Sequence, residues 1–152
     1  MQATFRAATA EDRQGWVALR FELWPDCPIE RHTLEVEQLL SSEGIVLVAE
    51  SDDVLVAFAE VSVRVDHVEG THSAPVPYLE GWYVRPDHRR QGIGRNLLLL
   101  VEQWAQASGY TELASDAEIE NHLSIELHKH LGFSEVGRSV HFLKKLDPKH
   151  SL

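Results

Sequence analysis

The stretch Val84-Arg85-Pro86-Asp87-His88-Arg89-Arg90-Gln91-Gly92-Ile93-Gly94-Arg95 decides the fold of this chain. A strand-like segment, residues 77–84, leads into it, and a helix-like segment, residues 95–107, follows it. Gly92 and Gly94 have no Cβ, so the backbone there can turn sharply and approach a ligand closely. The first N–H groups of the following helix have no internal partner and favour an anion. The stretch therefore predicts an anion-binding turn between a strand and a helix.

The same turn carries three arginines, Arg89, Arg90 and Arg95. A guanidinium is always charged and presents paired donors that match a phosphate group. The turn is not a Walker loop, since no Gly-Lys-Ser/Thr follows, and it lacks the three spaced glycines of a dinucleotide fingerprint. An ordinary strand-to-helix connection is the alternative for the turn taken alone, and the arginines favour phosphate binding.

Composition limits the function further. The chain has 152 residues with 24 acidic and 14 basic side chains, a formal net charge of −10. This balance disfavours a nucleic-acid-binding protein and suits a cationic substrate, although simple solubility is an alternative reason for it. The single cysteine, Cys27, excludes an intrachain disulfide. With no secretion signal and no apolar run of membrane-spanning length, the sequence predicts a cytoplasmic protein without membrane association.

Helical and strand-like patterns alternate along the chain, which predicts an α/β (α+β) fold: one domain over residues 1–152, with a central twisted mixed β-sheet flanked by helices. Predicted helices run from after Thr9 to before Pro25 and over residues 29–40, 95–107 and 122–131. Predicted strands cover residues 4–8, 45–50, 54–65, 77–84 and 111–115, with closing strands at 133–136 and 140–143. Residues 147–152 are expected to form a frayed tail.

Polar residues in apolar surroundings mark candidate site positions. Glu80 lies on an apolar strand, where a carboxylate is costly unless it is paired or meets water or a cation. Gly81 within the same strand indicates a bulge or the close approach of a ligand. Asp116 directly follows a strand, and Trp24 with Asp26 lies at a helix end broken by proline. A salt-bridged edge acid, a helix-capping aspartate and a core tryptophan are the structural alternatives.

The order of short motifs resembles that of the GNAT N-acetyltransferase superfamily, and more closely that of aminoglycoside 6'-N-acetyltransferases. The resemblance spans roughly residues 16–145, and its specificity comes from joint order and spacing. The motifs are Trp24-Pro25, Arg64-x-Asp66, Ser73-x-Pro75-Val76, Leu79-Glu80-Gly81, Ala114-Ser115-Asp116, Glu120-Asn121 and Leu131-Gly132-Phe133, together with the glycine turn.

The resemblance implies a single GNAT-type domain that uses acetyl-CoA as the acetyl donor and needs no metal. It implies that the 82–84 strand binds the pantetheine arm, that the glycine turn cradles the pyrophosphate, and that Asn121 contacts the cofactor arm. The implied cofactor-binding residues are Trp82, Tyr83, Val84, Arg89, Arg90, Gln91, Gly92, Ile93, Gly94, Arg95 and Asn121.

The resemblance also implies a pocket for a cationic aminoglycoside, lined by Trp24, Asp26, His67, Glu80 and Asp116. An alkylamine is mostly protonated near neutral pH, with a pKa of ~10, so one proton must leave before it attacks the thioester. Glu80 or Asp116 is expected to accept that proton. His128 lies where many GNAT enzymes place a tyrosine that protonates the leaving thiolate; a polar helix-face residue is the alternative.

Two positions depart from the pattern of these relatives: Gly137 stands where an acid is common, and Cys27 where some have a polar side chain. Both departures leave the substrate open. A GNAT enzyme that acetylates a polyamine or a protein N-terminus, and a non-catalytic acyl-CoA sensor, are the alternative functions. The resemblance further implies a homodimer, with C-terminal strands exchanged between subunits.

Overall fold

The computed structural model describes residues 2–148. These residues group into two compact units, which divide between Ala117 and Glu118. The first unit contains all five strands of the sheet and three α-helices. The strands are β1 (Thr4–Ala7), β2 (Ile45–Ser51), β3 (Val54–Arg64), β4 (Val76–Val84) and β5 (Ala114–Ser115). The helices are α1 (Arg13–Leu23), α2 (Ile29–Leu40) and α3 (Ile93–Ala107), and the second unit contains α4 (His122–His130).

The sheet is mixed, as predicted. Its spatial order follows the chain, β1-β2-β3-β4-β5, with antiparallel pairs from β1 to β4 and a parallel pair between β4 and β5. A parallel neighbour needs a long crossover, and α3 supplies it between β4 and β5. The predicted fold class of a mixed sheet with flanking helices is confirmed, whereas the extent of one domain over residues 1–152 stays a prediction.

Helices α1 and α2 form part of the core because one face of each is apolar. Trp16 and Leu19 of α1 and Val36 of α2 are buried and pack with Phe58 of β3. Helix α1 ends at Leu23, as expected from the proline that follows Trp24. Helix α3 buries Leu97 and Val101, which matches its predicted apolar stripe.

The ladder between β3 and β4 contains a β-bulge at Glu80. Glu60 pairs with Gly81 and Val61 pairs with Leu79, so Glu80 is the extra residue on β4. A bulge disrupts the regular alternation of side chains and re-aims one of them. The prediction of a bulge near Gly81 is confirmed, and the irregularity sets the direction of the Glu80 side chain.

The parallel ladder between β4 and β5 is short. Tyr78 pairs with Ala114 and Leu79 pairs with Ser115, and the ladder ends there. Residues 81–84 of β4 continue to pair with β3 on their other side. The edge of β4 that faces away from β3 therefore runs past the end of β5, next to the start of α3.

The second unit contains α4 and the chain after it. Gly132 has a φ of +101° just after the helix, the left-handed conformation in which glycine commonly ends a helix. The predicted strands at 133–136 and 140–143 are wrong for this chain by itself, because residues 133–147 form neither helix nor strand. A strand needs a hydrogen-bonded neighbour, and none is described for residues 133–147. Apolar side chains in this segment are exposed, Phe142 at 91% and Leu143 at 88%.

Residues 149–152 of the predicted tail lie outside the described residues. Among the helices of the described chain, none has the length and apolar character required to cross a membrane.

Candidate active site

Glu80 makes contacts with charged and polar neighbours, as its place on an apolar strand requires. The Arg64 guanidinium binds it with two contacts, Nη2 to Oε1 at 2.7 Å and Nε to Oε2 at 2.9 Å. The Ser62 hydroxyl also donates to Oε2. The carboxylate raises the pKa of Arg64, so the guanidinium stays charged. Glu80 is thus a salt-bridged acid whose side chain is 30% exposed.

Tyr78 connects this pair to Asp116. The Arg64 guanidinium carbon lies 3.5 Å from the centre of the Tyr78 ring, a cation–π contact. The Tyr78 hydroxyl donates a hydrogen bond of 2.5 Å to Asp116 Oδ2. Burial of the phenol raises the pKa of Tyr78 well above its ordinary value, and Asp116 acts in the same direction, so Tyr78 remains a donor.

The two predicted catalytic acids therefore belong to one cluster of Arg64, Tyr78, Glu80 and Asp116, but their partners differ. A guanidinium compensates the charge of Glu80, whereas Asp116 is exposed and hydrogen-bonded to a neutral phenol. Asp116 directly follows β5, at the point where the parallel ladder ends. The cluster can bind a cation and accept a proton at the end of the β4–β5 ladder.

Trp24, the predicted aromatic wall, packs against the bulged strand. A Cβ at Gly81 would lie 2.6 Å from Trp24 Cη2, so a larger residue there would displace the indole. The indole also meets the Phe58 ring edge-on, at 6.2 Å between ring centres. Trp24 is half-buried, so it is in part the core tryptophan of the structural alternative, and the rest of its surface is exposed beside Gly81.

The other two predicted substrate residues, Asp26 and His67, are exposed in connections after α1 and β3. None of the contacts described within residues 2–148 joins either side chain to the acidic cluster. Their role as pocket residues stays a prediction.

The glycine turn has the backbone geometry of an anion cradle. Arg90 and Gly92 both have positive φ angles, +65° and +79°, and α3 begins at Ile93. The first helical bond runs from Asn96 N to Gly92 O at 2.9 Å, so the N–H groups of the three residues before Asn96 precede the helical pattern. The Ile93 side chain is buried at 5% exposure, so only its backbone can face a ligand.

Side chains around the turn hold it against β4. Trp82 Nε1 donates to Gly94 O at 3.0 Å, which joins the strand to the first turn of α3. Arg89 Nε donates to Val84 O at 2.8 Å, and its guanidinium lies 5.6 Å from the centre of the Tyr83 ring. Arg89 therefore shapes the turn directly, while Arg90, Gln91 and Arg95 are exposed.

In the second unit, Asn121 caps α4, since its Oδ1 accepts from Ser124 N at 3.1 Å. His128 Nδ1 lies 2.7 Å from Ser124 O and must donate to it, because a carbonyl oxygen only accepts. The neutral ring then has no hydrogen on Nε2, so proton donation from Nε2 requires the imidazolium. The roles of Asn121 and His128 stay predictions.

Sequence reasoning missed two features. The sequence pattern indicates only a strand residue at Tyr78, yet its side chain links Arg64 to Asp116. A buried polar network of Arg20, His32 and Glu60 under Trp24 also went unnoticed. The available signal was a charged residue at an otherwise apolar position, Arg20 on the buried face of α1 and Glu60 in the middle of β3.

Residues 2–148 contain no group of three or more His, Cys, Asp or Glu side chains able to hold a metal ion.

A short parallel ladder next to a strand that leads into a glycine turn, with an acidic cluster at the end of the ladder, is an arrangement typical of an acetyltransferase domain. The profile of the Acetyltransferase (GNAT) family matches residues 9–133. The chain belongs to this family, and the resemblance identified in the sequence is confirmed.

Relatives narrow the group within the family. The chain is 43% identical over 148 residues to an aminoglycoside N(6')-acetyltransferase type 1 of Stenotrophomonas maltophilia, covering 95% of each chain. Its structure is similar to AAC(6')-Iy bound to the bisubstrate analogue CoA-S-monomethyl-acetylneamine, with a TM-score of 0.89, 33% identity and coverage of 96% of this chain and 100% of that one. It is also similar to AAC(6')-IG from Acinetobacter haemolyticus, with a TM-score of 0.87, 39% identity and coverage of 95% and 99%.

Proposed function

We propose that this protein transfers the acetyl group of acetyl-CoA to the 6'-amino group of aminoglycosides and so confers resistance to them. The observation that carries the proposal is the acidic cluster of Arg64, Tyr78, Glu80 and Asp116 at the end of the β4–β5 ladder. The relatives named aminoglycoside N(6')-acetyltransferase and the bisubstrate complex of AAC(6')-Iy support it. The net charge of −10 suits capture of a polycationic drug.

Acetyl-CoA is the acetyl donor in this proposal. Its pantetheine amides pair with the exposed edge of β4 at Trp82, Tyr83 and Val84, which continues past the β4–β5 ladder. Its pyrophosphate binds the N–H groups at the start of α3, with added charge from Arg89, Arg90 and Arg95. Asn121 contacts the arm of the cosubstrate.

Asp116 is the proposed base, because its described hydrogen bond comes from the Tyr78 hydroxyl, whereas Arg64 forms an ion pair with both oxygens of Glu80. It accepts a proton from the substrate ammonium, directly or through water. The free amine attacks the thioester carbon, so an N–C bond forms and the C–S bond breaks. Backbone N–H groups near residues 81–84 stabilise the oxyanion. His128, as the imidazolium, protonates the departing thiolate.

Glu80, Trp24, Asp26 and His67 bind the drug in this proposal. Glu80 accepts hydrogen bonds from substrate ammonium groups, while Arg64 holds its carboxylate in place. Trp24 supplies an apolar wall beside the bulge. Asp26 and His67 contact the outer part of the drug.

A homodimer in the cytoplasm completes the proposal. Val140, Phe142, Leu143 and Leu146 expose apolar side chains within a stretch without regular structure. Residues 140–142 alternate apolar and polar side chains, which suits a strand that pairs with a second copy of the chain.

The test is thiol release from acetyl-CoA with a panel of amines: aminoglycosides with a free 6'-amine, one with a 6'-hydroxyl instead, spermidine and a short peptide. Turnover only with the 6'-amine compounds is expected. Turnover confined to spermidine or the peptide would refute the aminoglycoside assignment but keep an acetyltransferase. Acetyl-CoA binding measured by calorimetry, with no turnover of any amine, would favour the sensor.

A further inference from the structure

A buried polar network lies under Trp24 and takes no part in the proposed chemistry. Arg20, His32 and Glu60 are only 3%, 0% and 2% exposed. Arg20 Nη1 donates to both Glu60 oxygens at 2.8 Å, and Trp16 Nε1 donates to Glu60 Oε2 at 2.7 Å. Arg20 Nη2 also donates to Glu35. The network joins α1, α2 and β3 in the layer next to the bulged strand.

Stability alone is a weak reason for such a network. Removing charges from water is costly, and well-packed apolar side chains in place of a buried ion pair are often equally stable or more so. Burial raises the pKa of Glu60, while Arg20 and the Trp16 indole act in the opposite direction. A network of fixed donors and acceptors also gives a defined orientation to the groups that it contacts.

His32 has one tautomer in this network. Its Nδ1 lies 3.1 Å from Arg20 Nε, and because arginine only donates, Nδ1 must be an acceptor. The ring hydrogen is therefore on Nε2, which donates to the Trp24 carbonyl oxygen at 3.1 Å. If Nδ1 carried a hydrogen, that N–H would face the Nε–H donor of Arg20, and neither would have an acceptor. His32 thus connects the buried charges to the backbone of Trp24.

The same network contacts the Trp24 side chain. The His32 ring is nearly parallel to the indole, at 15° and 6.3 Å between ring centres, and the Arg20 guanidinium carbon lies 5.0 Å from the indole centre. The Trp24 backbone, with φ −124° and ψ 71°, has left the helical conformation. The indole therefore contacts the His32 and Arg20 side chains of the network, and it also contacts Gly81 and Phe58 of the sheet.

We propose that His32 is a positioning residue for the acceptor substrate: it holds Trp24 in the orientation that forms the wall of the pocket beside Glu80. This inference rests on the proposed function, because it assigns the Trp24 surface to the substrate amine. Arg20 and Glu60 act one step further away, by holding the His32 ring in the required tautomer.

The test compares His32→Leu with His32→Gln. Leucine fills the space without hydrogen bonds, whereas the glutamine amide offers one acceptor and one donor. We expect His32→Leu to raise the KM for the aminoglycoside roughly tenfold, with the KM for acetyl-CoA unchanged, because small misplacements at a binding wall are costly. His32→Gln should recover most of the loss. Equal losses for both substrates, or no difference between the two variants, would overturn the proposal.

Val101→Ala is the control for stability, since it removes buried methyl groups from α3 without touching Trp24. It should lower the melting temperature and leave the aminoglycoside KM unchanged. If His32→Leu does not fold, Gly81→Ala displaces the indole from the other side, since the new Cβ would meet Trp24 Cη2. It should raise the same KM; an unchanged KM would overturn the proposal.

The substrate panel separates the two proposals. Wild-type turnover with a different amine would refute the aminoglycoside assignment alone, and the KM comparison is then made with that amine. The ¹⁵N shifts of the imidazole test the tautomer without any substrate: a hydrogen on Nδ1 of His32 would overturn the inference even in an active enzyme.

Discussion

At the scale of single residues, partners decide what each acid can do. Glu80 and Asp116 belong to the same cluster, yet Arg64 neutralises Glu80 while a neutral phenol contacts Asp116. Both carboxylate oxygens of Glu80 accept from Arg64, whereas the described hydrogen bond of Asp116 engages only its Oδ2. The local partners therefore favour Asp116 as the base and Glu80 as the residue that binds the substrate cation.

Asp116→Asn tests this division of roles. The amide oxygen can still accept the Tyr78 hydrogen bond, but the variant has no base, so we expect kcat to fall by about 100-fold or more. The KM for acetyl-CoA should stay the same. Glu118→Gln removes one charge two residues away and serves as the control. Steady-state kinetics that show equal, small effects for both variants would contradict the role of Asp116.

Asp12 provides a residue-scale prediction for pH. The Arg6 guanidinium binds its carboxylate at 2.7 and 2.9 Å, and the Thr9 N–H donates to it at 2.8 Å. These bonds lower the pKa of Asp12 below its ordinary value of 3.8. A lowered pKa means that the ionised form is bound more favourably in the folded state. The stabilisation is therefore present above pH 3.8 and disappears as the pH falls through the folded-state value.

Asp12→Asn should accordingly lower the free energy of unfolding by about 1–2 kcal/mol at pH 7. The difference from the wild type should shrink as the pH falls below about 4. Urea unfolding followed over a range of pH values measures both. Glu11→Gln, at the exposed neighbouring position, is the control. A destabilisation that does not change with pH would rule out the ion pair as its cause.

At the scale of elements, close backbone contacts fix how segments join. Gly44 connects α2 to β2, and a Cβ there would lie 1.8 Å from the Val61 carbonyl oxygen of β3. Backbone atoms within a sheet cannot move aside as a flexible side chain can. The glycine is thus required by the approach of two chain segments and not by its own φ angle.

Gly44→Ala should therefore destabilise the fold by about 3 kcal/mol or more. Gly109→Ala is the matched control: its φ of +90° disfavours alanine, but a Cβ there meets no atom within 4 Å. We expect a loss of about 1–2 kcal/mol at Gly109, the ordinary cost of a left-handed alanine. Similar losses at the two positions, measured by urea unfolding, would show that the sheet adjusts around Gly44.

At the scale of the whole molecule, the second unit leaves apolar side chains exposed after α4. Phe142 and Leu143 are among the most exposed large apolar residues of the described chain. Such a segment in a soluble protein usually marks a contact with another chain. The proposed homodimer with exchanged strands gives these residues a partner.

Phe142→Asp combined with Leu143→Asp should convert the dimer to a monomer, because buried unpaired carboxylates disfavour the interface. Sedimentation velocity at several concentrations measures the change. Leu34→Asp, an exposed position on α2, is the control. A wild-type protein that sediments as a monomer at all concentrations would refute the dimer outright.

Most of the architecture could be predicted from the sequence because its signals are local. Periodicity and the residues Pro25, Gly92 and Gly132 place the ends of helices and strands close to those observed. The glycine turn is likewise local, since its positive φ angles and its helix start depend on neighbouring residues. The failures were the two closing strands and residues 111–113 of the predicted strand 111–115, of which only Ala114–Ser115 is a strand. Strand formation depends on a partner strand and not on composition alone.

The sequence by itself determined the order of the elements as far as α4, the glycine turn between a strand and a helix, and the presence of an acid on the bulged strand. Each follows from short-range sterics and apolar patterning. Only the tertiary structure decided which partner each charge meets. Arg64 and Glu80 are 16 positions apart, Tyr78 and Asp116 are 38, and Arg20 and Glu60 are 40. Strand register and helix packing bring such pairs together, and those depend on the whole core at once.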